Sequence, residues 1–361
     1  PHIRKMLADR WNLLWLLVLF STAIAHLILS YSSNTAESLY GEYVWRFWRM
    51  VFSGVVVPLP FNLLHLLIIM LLFWLCYVAW KAFDTRSAVY MTGQLFVLFI
   101  FVYAGFQWFW GFNYQRPALE ERLQWQRERL SIDSVKSDLL YWTEILELER
   151  DRLSDTAIQA DLTRWMDILN ESMRAEVLPQ LGYTADARLH VRELHPEGTL
   201  LRIGTAGFYA PFTGEGQIDP GLHPLQKPFT IAHEMGHAAG ITGEGDCNYI
   251  GLLACLNTEN AFVRYSGRLA IWRYLASEVK RTDPEWYDSF YEDLDQRVVA
   301  DIRAIQRQMD QFPDLFPGLR DRIYDTYLRA QGVEGGMANY SLVVRLVHRT
   351  MRERPELLGN K

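Results

Sequence analysis

The chain has 361 residues, enough for two domains of ordinary size. A net charge of −6 offers no basic surface for nucleic acid, and three cysteines do not make a disulfide framework. Half of the residues are hydrophobic and they are unevenly spread: long apolar runs fill residues 11–110, and an ordinary charged composition follows.

The chain begins at Pro1 rather than Met, as a trimmed N-terminus would. Residues 11–30 (WNLLWLLVLFSTAIAHLILS) carry no Asp, Glu, Lys or Arg and are long enough to span a bilayer. No small-residue cleavage site follows, which favours an anchor over a signal peptide. Within this run His26 reads as a packing histidine facing a neighbouring helix, with a cofactor ligand as the alternative. Residues 35–57 alternate aromatic and charged side chains and predict an interfacial helix, with a short re-entrant segment as the alternative, ended by Pro58 and Pro60. Residues 61–80 and 91–110 predict a second and a third span, separated by a polar loop with Lys81, Asp84 and Arg86. Arg4, Lys5 and Arg10, with that loop, place the N-terminus in the cytoplasm and everything after Trp110 outside. The expected domains are therefore a membrane domain, 1–110, and an extracytoplasmic domain, 111–361.

Residues 119–153 and 156–178 show helical periodicity with dense surface charge. Residues 187–194 and 199–209 read as strands joined by the His195–Gly198 turn, with His190 on a sheet face. A Gly/Pro-rich loop follows, in which His223 is a loop histidine and only secondarily a ligand or proton donor. The strand before it offers an edge on which an extended peptide could pair. Further helices are expected at 259–280, 283–310, 315–331 and 337–353, punctuated by Pro284, Pro313, Pro317 and Gly335-Gly336.

The stretch with chemistry in it is Thr230–Glu244, TIAHEMGHAAGITGE. His233 and His237 are four apart and share one face of a helix, so two imidazoles can hold one metal ion, with Glu234 beside them as a base. The flanking residues are uncharged, as a helix beneath a cleft requires, and Gly240 can end the helix in a left-handed turn. A catalytic zinc takes three protein ligands and keeps one position open. Glu244 is the first choice for the third, Asp246 the second; either acid would also suit a helix N-terminus without any metal. Zinc held there activates a water, Glu234 takes its proton, and a further donor steadies the oxyanion. Tyr265, Arg268, Tyr327 and Tyr340 are the candidates for that donor. Cys247 and Cys255 fall on one expected helix, too far apart to bridge.

Several stretches together resemble the DUF3810 family of bacterial membrane proteins: PLPFNLLHLL, WGFNYQRP at 110–117, GFYAPFTGEG at 207–216, the run 228–255 around HEMGH, YSGRLA at 265–270 and the run 324–346. The resemblance implies a zincin-like, HExxH metallopeptidase-type domain. After the histidines such proteins read like E-D-E-A-N-F, where this chain has Glu244-Gly245-Asp246-Cys247-Asn248-Tyr249. That pattern is similar to the E-x-x-x-D element of membrane-embedded gluzincins, with Asn248 in the Asp place. It implies Glu244 as ligand, with Asn248 and Asp246 supporting the ligands from behind.

The expected fold is mainly α (α+β): transmembrane helices, then a mostly helical zincin-like domain with a small sheet. The expected function is a zinc peptidase of the bacterial cytoplasmic membrane, meeting the lipid bilayer and peptide or protein substrates. The alternative is a non-catalytic subunit that docks on other membrane proteins and keeps a zincin fold. A sensor is a third reading, without a recognisable signalling segment to support it.

Overall fold

The computed structural model describes residues 2–126, 130–153, 162–315, 318 and 342–359, with backbone alone for 2–12. The chain divides into two compact units: Pro1–Pro117 with Ala210–Gly214, and Ala118–Tyr209 with Glu215–Lys361. Most of the described chain is helical, and one three-stranded sheet is present among the described residues.

In the first unit the longer α-helices are α1 (His2–Leu29), α2 (Arg46–Val55), α3 (Leu63–Asp84) and α4 (Ala88–Phe109). Asn62 caps α3 by accepting from Leu64 N–H, and Ser87 caps α4 by accepting from Tyr90 N–H. Both α3 and α4 are long and apolar enough to cross a membrane; α1 contributes the shorter apolar stretch Leu13–Leu29. A helix this apolar inside a water-soluble core is buried, but Ile69, Met70, Leu72 and Phe73 of α3 and Phe96 and Phe99 of α4 are exposed. The expected interfacial helix is a π-helical stretch, Glu37–Trp45, running into α2. It is fastened by Arg116, whose guanidinium donates to both Glu37 oxygens at 2.7 and 3.0 Å and to Asn113 Oδ1 at 2.8 Å. Tyr40 donates to the Trp108 carbonyl at 3.1 Å. The WGFNYQRP stretch thus closes the first unit. His26 packs against Phe112, 6.3 Å between rings.

The second unit contains α5 (Ile132–Asp151), α6 (Leu162–Ser172), α7 (Lys227–Ala238), α8 (Glu244–Leu256), α9 (Ala261–Thr282), α10 (Pro284–Glu292), α11 (Gln296–Met309) and α12 (Leu342–Glu353). The helix expected over 119–153 is interrupted after one turn, Leu119–Arg122; Gln124 takes a positive φ of 56°, which a helix does not allow. The expected 283–310 helix is two, α10 and α11, each capped by an aspartate, Asp283 and Asp295. The expected 315–331 helix and the start of the 337–353 one lie almost wholly outside the described residues.

The sheet orders as β1-β3-β2, with β1 Val191–Glu193, β2 Gly207–Ala210 and β3 Glu215–Ile218. β1 and β3 pair in parallel, Val191 opposite Gly216. The central strand β3 falls inside the stretch expected to be loop. The strand expected over 199–209 contains instead a 3-10 turn, Leu201–Ile203, and only then β2. Asp219 explains this: its buried carboxylate accepts from the backbone N–H of Gly198, Leu200, Leu201 and Gly221 at 2.7–3.2 Å. That acceptor folds the segment into a turn before the sheet begins. His190 lies beside β1 and bonds Glu215 of β3 at 2.9 Å, a sheet-face residue as expected.

Candidate metal centre

α7 starts with Pro228 in its first turn, where a missing N–H is harmless, and ends at Gly240, which adopts the left-handed φ of 88°. The chain turns at once into α8, whose first residue is Glu244. Two glycines let α7 and α8 meet at backbone distance. A Cβ on Gly251 would stand 3.1 Å from His233 N, and one on Gly236 would stand 3.1 Å from Cys247 Sγ. The tight crossing brings Glu244 against both histidines.

Candidate ligand atoms of His233, His237 and Glu244 all lie within 4.8 Å of one another, the single such cluster of His, Cys, Asp and Glu among the described residues. Glu244 Oε2 is 3.3 Å from His233 Nε2, and Oε1 is 3.7 Å from His237 Nε2. Ligands about 2.0–2.2 Å from a tetrahedral zinc lie about 3.3–3.6 Å apart, so these separations suit such an ion. The other ring nitrogens are occupied. His237 Nδ1 is 2.9 Å from the Ile241 carbonyl, which can only accept, so the ring proton sits on Nδ1 and the Nε2 lone pair is left for a metal. His233 Nδ1 lies 2.8 Å from Asn248 Oδ1, with the same consequence. The donor set and the orientation of both rings fit a divalent cation.

Glu234 points to the strands. A Cβ on Gly207 of β2 would be 2.6 Å from Glu234 Oε1, and one on Gly216 of β3 would be 2.7 Å from Glu234 Cβ. The carboxylate therefore occupies room that two side-chain-free residues leave open, and its Oε2 is buried with no hydrogen-bond partner. Burial pushes the Glu234 pKa up to about 7, against the pull of the two imidazoles. Burial also works against the Glu244 carboxylate, but its bonds to His233 and His237 hold it well below the ordinary range. Burial disfavours a charged His237, yet the Cys247 sulfur and Glu244 beside it raise the ring well above the usual histidine value.

The other sequence candidates are placed elsewhere. Asp246 turns away from the imidazoles and accepts from Leu119 N–H at 3.5 Å, so Glu244 is the acid brought to the histidines. Tyr265 donates its hydroxyl to Asp301 at 2.7 Å, and Arg268 is bound to Glu149, so both expected oxyanion donors are committed to other partners. Tyr327 and Tyr340 lie outside the described residues. His223 accepts from Leu225 N–H through Nδ1 at 3.3 Å, a loop-shaping role. Sequence reading missed the Ile241 carbonyl, the Cys247 sulfur and the Gly207/Gly216 cradle. The glycines in GFYA and TGEG were the only signal for the cradle.

A mostly helical protein with two membrane-length apolar helices and a His/His/Glu cluster on a glycine-tight helix pair is thus defined. Residues 40–348 match the DUF3810 family, described as a protein of unknown function, and the chain belongs to that family. No curated protein matches it. No solved structure matches it either.

Proposed function

We propose that this protein is a membrane-anchored, zinc-dependent peptidase of the zincin type. The observation that carries the reading is the convergence of His233 Nε2, His237 Nε2 and Glu244 beside a buried Glu234. A zinc ion held there would supply Lewis-acid polarisation of a scissile carbonyl and activation of water. The chain's own residues account for the rest. Asn248 and the Ile241 carbonyl keep both rings in the tautomer that presents Nε2. Glu234 takes the proton of the attacking water and hands it to the departing amine. The proposed setting is the bacterial cytoplasmic membrane, with α1, α3 and α4 as spans and the second unit outside; the basic residues near the N-terminus and in the 81–86 loop support that orientation.

The test is cleavage of a mixed quenched-fluorescent peptide set by detergent-purified, zinc-loaded protein. Glu234→Gln should keep its zinc and lose about 10²–10⁴-fold in rate. Cleavage that survives Glu234→Gln, or no cleavage of any peptide by zinc-loaded wild type, would count against a peptidase and favour the non-catalytic subunit.

A further inference from the structure

We infer that Cys247 is a positioning residue for His237, holding the ring from behind through its sulfur; this rests on the metal reading of the site. Cys247 lies on α8, three residues after Glu244, and is fully buried. Its Sγ is 3.3 Å from His237 Nδ1 and 3.4 Å from the Ile241 carbonyl oxygen. That oxygen also receives the Nδ1 proton at 2.9 Å. A carbonyl has two lone pairs, so it can accept from the imidazole N–H and the thiol S–H together.

The three atoms form a closed triangle against one edge of the ring. The opposite edge, Nε2, faces Glu244. The sulfur is therefore on the wrong side of the imidazole to be a ligand itself, and on the right side to stop the ring from turning. Gly236 completes the arrangement. A Cβ there would stand 3.1 Å from the sulfur, so the residue before His237, having no side chain, leaves Cys247 unpressed beside the ring. Position 236 of HEMGH thus leaves the space that the side chain of position 247 fills. Groups that hold the far nitrogen of a ligand histidine typically change metal affinity about 10–100-fold when removed.

Cobalt(II) titration of chelator-stripped, full-length protein in detergent, followed by visible absorption, tests this without a substrate. Wild type should bind cobalt with ligand-field bands and no thiolate charge-transfer band. Cys247→Ala should bind cobalt about 10–100-fold more weakly with shifted bands, and Cys247→Ser, which restores a donor of similar shape, should recover most of the affinity. Gly236→Ala leaves the sulfur in place but presses on it, and should also weaken binding. Thermal unfolding of the metal-free variants separates a lost fold from a loosened ring.

Unchanged affinity and spectrum in Cys247→Ala, or in Gly236→Ala should the first variant not fold, overturns the inference while leaving the metal site standing. A charge-transfer band in wild type that disappears in Cys247→Ala overturns it differently, by making the sulfur a ligand. No cobalt binding in wild type removes the inference and the metal reading together.

Discussion

Asn248 Oδ1 lies 2.8 Å from His233 Nδ1, one helical turn into α8 from the Glu244 carboxylate that faces the same ring's Nε2. One helix therefore grips His233 from both sides. Asn248→Ala should lower zinc affinity about 10–100-fold while Asn248→Asp, which still accepts from the ring, should lower it far less. Competition with a fluorescent zinc chelator measures both. Equal losses in the two variants would assign Asn248 to helix packing alone.

The buried Glu234 should make the metal-free protein sensitive to pH. An acid whose pKa is higher in the folded than in the unfolded state leaves stability intact below the unfolded value and weakens the fold as pH rises toward the folded one. From an ordinary 4.5 to about 7, the weakening amounts to about 3 kcal/mol once pH exceeds 7. Glu234→Gln should therefore stabilise the stripped protein at pH 8 and change it little at pH 5. Denaturant unfolding at the two pH values reads this directly; an equal shift at both would mean that Glu234 carries its charge in the fold without strain.

Gly207 should matter to reactivity and not to metal. An added methyl would collide with Glu234 Oε1 and with the Gln217 carbonyl, and its three nearest atoms include none from the three metal-facing side chains. Gly207→Ala should keep its zinc and lose peptide cleavage about as fully as Glu234→Gln does. Lost zinc in Gly207→Ala would show that β2 supports the ligands as well as the base.

How much of this was readable in the sequence follows from the range of the interactions. The HEMGH helix, its stop at Gly240 and the apolar helices α3 and α4 are local patterns, and each appears within a few residues of its expected place. β3 was not readable, because Glu215-Gly216-Gln217-Ile218 lacks the β-branched alternation of a strand and is fixed by pairing with distant β1. The turn at 201–203 depends on Asp219, and the break at Gln124 on a backbone conformation that composition does not announce. Glu244 already ranks ahead of Asp246 in the sequence; what spacing does not give is the crossing of α7 and α8, permitted by two glycines, that brings its carboxylate to the histidines. The engagement of Tyr265 with Asp301, 36 residues away, was likewise out of reach.

Asp219 should be a sensitive polar residue outside the cluster. Asp219→Ala would leave four backbone N–H groups of a buried loop without their acceptor, a loss of at least about 3 kcal/mol. The change in the urea midpoint of the full chain measures it. A loss below about 1 kcal/mol would mean that the loop finds other acceptors.

If His233, His237 and Glu244 together hold one metal ion, elemental analysis of detergent-purified wild type beside His233→Ala and Glu244→Ala will show it. Wild type should carry about one zinc per chain, lost in both variants. Wild type that takes up no zinc after zinc is supplied, or Glu244→Ala that keeps it fully, would mean that these three side chains do not form a metal site.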